Sequence, residues 1–144
     1  MIAEPARILL VEDDPGVCTF LADNLAADGY EPLVADTARE GLRLLEYKQP
    51  DLAVIDLGLP DGSGLDLIRA VRAADGVASR LDPLLPLVIV SGRTGELDRV
   101  RGFERGADDY VAKPIPSLFL APLRPSRALS NPTLPCFAVT PAGP

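Results

Sequence analysis

The sequence has no histidine, only two cysteines, and no acidic residue after Asp109. The first absence removes His-based acid/base catalysis and any role as a phosphohistidine donor. Cys18 and Cys136 form neither a metal-binding nor a disulfide pattern, which suits a reducing cytoplasm. There is no secretory signal and no apolar run long enough to span a bilayer. Positive charge is scarce too: within the first 114 positions 12 basic residues face all 21 acids, a net −9. That balance argues against a nucleic-acid surface on this region. What remains, 144 residues with 47% hydrophobic and 24% charged, suits one soluble globular domain with a real core.

The chain is organised around Asp51-Leu52-Ala53-Val54-Ile55-Asp56, which continues as Leu57-Gly58-Leu59-Pro60-Asp61-Gly62-Ser63-Gly64. The apolar run reads as a strand buried on both faces of a parallel sheet, and Pro60, Gly62 and Gly64 mark a loop. Arg7 to Val11 reads as the first strand. Asp14 is the N-cap and Pro15 the first residue of a helix in which Val17, Phe20, Leu21 and Leu25 recur, with Gly29 as its stop. Tyr30 to Ala35 is a second strand. Thr37 to Glu40 forms a capping box for a helix that buries Leu42, Leu44 and Leu45. Gly64 to Ala74 is a third helix, followed by a long irregular loop from Asp75 to Pro86. Leu87 to Val90 is the fourth strand, Thr94 to Arg105 the fourth helix, and Asp109 to Ala112 the fifth strand.

This alternation predicts an α/β fold: a doubly wound, five-stranded parallel sheet. Right-handed crossovers bring the carboxyl ends of all five strands to one edge. Glu12, Asp13, Asp56, Ser91 and Lys113 therefore converge. Two like charges about 4 Å apart repel by about 4 kcal/mol at an effective dielectric of 20. Lys113 offsets one acid, and Mg²⁺ suits a site of few carboxylates, a carbonyl and waters. An aspartate in such a setting can act as a nucleophile toward a phosphoryl group. The alternative for each residue is local: acids at a helix start, a strand-end hydroxyl, a packed tyrosine. Cys18 is expected to face solvent.

These residues resemble the receiver domain of two-component response regulators over residues 5–116, which implies a flavodoxin-like strand order 2-1-3-4-5. The resemblance rests on Val11-Glu12-Asp13-Asp14-Pro15, on Asp56 to Gly64, on Ser91-Gly92, and on Gly106-Ala107-Asp108-Asp109-Tyr110-Val111-Ala112-Lys113-Pro114. The segment from Asp98 to Pro114 looks most like the winged-helix (OmpR/PhoB-type) transcriptional branch. The resemblance implies that Asp56 accepts a phosphoryl group from a sensor histidine kinase, and that the chain is not an enzyme. It implies Mg²⁺ held by Asp13, Asp56, Glu12 through water, and the Gly58 backbone carbonyl. It gives Ser91 and Lys113 to the phosphoryl group, Ser91 and Tyr110 to the switch, and a cis peptide to Lys113-Pro114. Asp98, Arg99, Arg101 and Asp109 look like half of a homodimer face.

The family pattern then stops. Where a fifth helix is expected, Pro122 and Pro125 intervene, each costing about 3 kcal/mol in a helix interior. Residues 117–144 read as a Pro-rich irregular tail, the mark of truncation, an altered reading frame or a divergent disordered segment. Apolar surface on the first helix and fifth strand is then expected to stay exposed unless Leu118, Phe119, Leu120 and Leu123 cover it. No DNA-binding domain follows, so no direct nucleic-acid or membrane contact is expected. Two other readings compete: a receiver-like interaction module that no longer switches, and an Asp-nucleophile phosphohydrolase. Gly58 argues against the hydrolase, which needs a second acid there.

Overall fold

Three apolar runs form the centre of the sheet. β1 (Arg7–Val11), β3 (Leu52–Ile55) and β6 (Leu87–Ser91) lie side by side in parallel and are buried almost throughout. Their unbroken hydrophobicity is what a strand covered on both faces requires. β2 (Glu31–Ala35) and β7 (Asp109–Ala112) flank them, giving the order β2-β1-β3-β6-β7. In this computed structural model the described residues are 4–92 and 96–113, without the side chains of 96–99. β4 (Gly58–Leu59) and β5 (Gly62–Ser63) form a separate antiparallel hairpin, so the five-stranded order is the expected 2-1-3-4-5. The hairpin replaces the plain loop expected after Asp56.

Strand alternation divides the core between the two faces of the sheet. Leu9, Val11, Ile55, Ile89 and Tyr110 share one cluster with Leu44 and Leu45 of α2 (Ala38–Lys48) and with Leu67, Ile68 and Val71 of α3 (Gly64–Arg72). Ile8, Leu10, Val54, Val88, Val90 and Val111 share the other with Leu21 and Leu25 of α1 (Pro15–Ala27). Val88, Val90 and Val111 are buried. Leu118, Phe119, Leu120 and Leu123, the expected fifth helix and the irregular tail all lie outside the described residues.

Local chemistry sets the helix ends. Asp14 Oδ1 accepts from the N–H groups of Gly16 and Val17, and Pro15 opens α1. Phe20 is more exposed than its spacing suggested, because the buried stripe of α1 runs through Leu21 and Leu25. Only half of the expected capping box forms on α2. Thr37 Oγ1 accepts from Glu40 N at 3.0 Å, but the Glu40 carboxylate turns outward to Arg43, at 2.9 and 2.6 Å. Asp61 instead satisfies two other donors of the first turn, accepting from Ala38 N and Arg39 N. α4 (Glu96–Arg105) packs closely on β6: an ideal Cβ at Gly102 would lie 2.5 Å from Ile89 Cδ1.

Arg72 ties down the long loop between α3 and β6. It donates to the carbonyls of Gly106, Pro83 and Leu85 at 2.8, 2.9 and 2.6 Å, and to Asp108 Oδ2 at 2.9 Å. One guanidinium thereby joins the end of α3, the loop, and the corner between α4 and β7. Its planar fork of donors suits this, where an ammonium would not.

Candidate functional site

The carboxyl ends of β1, β3, β6 and β7 carry Glu12, Asp13, Asp56, Ser91 and Lys113 to one edge of the sheet. The ladder continues past the strands to fix the polar residues. Glu12 N donates to Ala35 O, Asp56 N to Val11 O, and Lys113 N to Ser91 O, all at 2.8 to 2.9 Å. Glu12 and Asp56 are only 3% and 7% exposed, while Asp13 is open to solvent. Carboxylate oxygens of Glu12, Asp13 and Asp56 all lie within 4.8 Å of one another. Lys113 Nζ stands 2.8 Å from Glu12 Oε1 and 3.6 Å from Asp56 Oδ2. Ser91 ends β6, buried.

Burial raises the Glu12 carboxyl above its ordinary value, although Lys113 and the Asp14 N–H pull it down; the Asp56 charge raises it further. Burial would lower Lys113, but its bond to Glu12 and the charge of Asp56 outweigh that and hold it above its ordinary value. Both shift upward, which favours the charged lysine but disfavours the charged glutamate, because the lysine side chain keeps 22% of its surface in water and that of Glu12 only 4%. One ammonium thus serves two buried carboxylates beside a third acid. The site retains excess negative charge and hard oxygen donors, which a small divalent cation fits.

Gly64 supports Asp56 from beneath. An ideal Cβ there would lie 2.7 Å from Ile55 Cγ2 and closer still to the Asp56 carbonyl oxygen. Ser63 caps α3 by accepting from Leu65 N, so the helix starts directly against the backbone of Asp56. The sequence shows Gly64 only as a loop breaker; its position after a Ser cap and before an apolar helical stripe was the available signal. Gly58 differs, since an ideal Cβ there meets nothing within 4 Å.

The remaining expected residues separate. Tyr110 is buried on the α4 side of the sheet, with an ideal Cβ at Gly102 3.4 Å from its Cδ2. Arg101 is exposed on α4. Asp109, expected on the dimer face, is 4% exposed, shares the sheet face of Val111, and its Oδ1 accepts from Tyr110 N at 2.7 Å. Cys18 does not face solvent freely, because its thiol donates to Glu12 O at 3.1 Å and burial pushes its pKa up. The Asp98 and Arg99 side chains and Pro114 of the expected cis peptide lie outside the described residues.

Residues 8–120 match the response regulator receiver domain. The chain belongs to the response regulator receiver family. Relatives include the KDP operon transcriptional regulatory protein KdpE of Escherichia coli, 37% identical over 75% of this chain and 44% of that protein. The DNA-binding response regulator MtrA of Mycolicibacterium smegmatis is 38% identical over the same shares. This chain thus spans less than half the length of these transcriptional regulators. Among solved structures, the HemR receiver domain of Leptospira biflexa superposes with a TM-score of 0.70 at 36% identity, covering 88% of this chain and 95% of that one. A CheY-like receiver of Methanospirillum hungatei gives 0.74 at 28% identity, over 92% and 96%. No described helix of this receiver is long and apolar enough to cross a membrane.

Proposed function

We propose that this receiver is a phosphoacceptor of a two-component pathway, modified on Asp56 by a sensor histidine kinase in the cytoplasm. The observation that carries this reading is the meeting of Lys113 with buried Glu12 and Asp56, drawn from three strand ends. A carboxylate oxygen of Asp56 attacks the phosphorus of the kinase phosphohistidine. The new P–O bond forms as the P–N bond breaks, and the imidazole nitrogen leaves. Glu12, Asp13, Asp56 and the Gly58 carbonyl would hold Mg²⁺, which supplies charge stabilisation to the transferred oxygens when bound. Lys113 supplies a second positive charge, and the Ser91 hydroxyl a donor. The acceptor is consumed in each transfer, so the domain is a substrate and not a turnover enzyme.

The phosphoryl group adds nearly two negative charges, and these bias a two-state element built from Ser91, Tyr110 and α4. Exposed Val100 and Phe103 beside Arg101 support pairing of two copies through α4. The acidic balance of the receiver supports action without nucleic-acid contact by this region. Radiolabelled acetyl phosphate with Mg²⁺ tests the assignment. The label is expected to be released by hydroxylamine, as an acyl phosphate is, and to be missing from Asp56→Asn. A hydroxylamine-resistant label, or one retained by that variant, would place the chemistry elsewhere.

A further inference from the structure

The hairpin after Asp56 has few restraints of its own. Its ladder pairs Gly58 with Ser63 and Leu59 with Gly62 and goes no further. So short a pairing has little stability alone. At Gly58 no neighbour lies close enough to restrain a side chain, whereas Leu59 is buried. Gly64 N donates to Leu57 O at 3.0 Å and closes the base. The turn is fastened by Asp61 alone among the described contacts: Oδ1 accepts from Ala38 N at 2.7 Å and Oδ2 from Arg39 N at 3.0 Å. Both are charge-assisted bonds to the positive end of α2. Thr37 caps the same helix independently, through Glu40 N.

We propose that Asp61 is a positioning residue for the metal site, fastening the hairpin that carries Gly58 to the first turn of α2. The inference rests on the phosphoacceptor reading, in which the Gly58 carbonyl is a Mg²⁺ ligand. Asp61 touches no reacting atom. Its carboxylate converts a weakly paired hairpin into one held at its base, at Leu59 and at its turn.

Calorimetric titration of the unphosphorylated full chain with Mg²⁺ tests this without reference to activity. Asp61→Ala is expected to raise the Mg²⁺ Kd roughly tenfold, the low end of the loss seen when a residue that orients a metal ligand is removed. Asp61→Asn, which keeps one neutral acceptor, should show a smaller rise and serves if the alanine variant fails to fold. Thr37→Ala removes a cap from the same helix without touching the hairpin, and should lower the melting temperature while keeping the wild-type Kd. An unchanged Kd in folded Asp61 variants, or an equal rise in Thr37→Ala, would overturn the positioning role. A wild-type chain that binds no Mg²⁺ would overturn the phosphoacceptor reading itself, which separates the two failures.

Discussion

Gly64→Ala should destabilise the domain even though it replaces glycine by the best helix former. Its backbone conformation is open to any residue, so a helix-propensity argument alone predicts a gain of up to about 1 kcal/mol. Packing predicts the opposite sign. The added Cβ would stand 2.7 Å from Ile55 Cγ2 and closer to the Asp56 carbonyl oxygen. That is about 1 Å inside ordinary carbon contact distance. Neither neighbour yields easily, since Ile55 is fully buried and Asp56 N is bonded to Val11 O. Overpacking of this kind costs about 1–3 kcal/mol, so a net loss of about 1–2 kcal/mol is expected after the propensity gain. Urea unfolding would register it as a midpoint lowered by roughly 0.5–1 M. Gly58→Ala, with open space around its Cβ, should leave the midpoint unchanged. Equal or greater stability in Gly64→Ala would refute the close approach of α3 to Asp56.

Lys113→Met leaves two buried carboxylates without their cation, and should cost about 2–3 kcal/mol in EDTA. That is below the 3–5 kcal/mol of a fully buried pair, because the lysine side chain is 22% exposed. The same variant should bind Mg²⁺ more tightly than wild type by calorimetry, since the competing cation is gone. The Glu12 carboxyl is raised above 4.5, chiefly by burial, so protons compete for it where an ordinary glutamate is ionised. Mg²⁺ affinity should therefore weaken as pH falls from neutrality toward 4.5, more steeply in wild type than in Glu12→Gln. Arg72→Met strips hydrogen bonds from the carbonyls of Pro83, Leu85 and Gly106, and should cost about 2–4 kcal/mol in urea unfolding.

The central strands were legible because Ile8 to Val11, Leu52 to Ile55 and Leu87 to Val90 are unbroken apolar runs. Their alternation with helices gave the parallel sheet, the family resemblance its strand order, and the polar residues at the strand ends named the acidic site. Through-space relations were not legible. Asp61 lies 23 residues from Ala38, and Arg72 lies 34 from Gly106, so no local pattern links them. Glu40 satisfied a local rule for a capping box yet found Arg43, while Asp61, distant in sequence, takes the Ala38 and Arg39 N–H groups of the same terminus. Asp109 resembled a surface charge in sequence, but the register of β7 against β6 turns it to the face of Val111. The two-residue strands of the hairpin are too short to leave a periodic signal.

Intact mass after incubation with acetyl phosphate addresses the phosphoacceptor claim most directly. With Mg²⁺ present, the wild-type chain should gain one phosphoryl group, and EDTA or Asp56→Asn should abolish the gain. A folded wild-type chain that gains nothing, or an Asp56→Asn variant that gains as much, would contradict it.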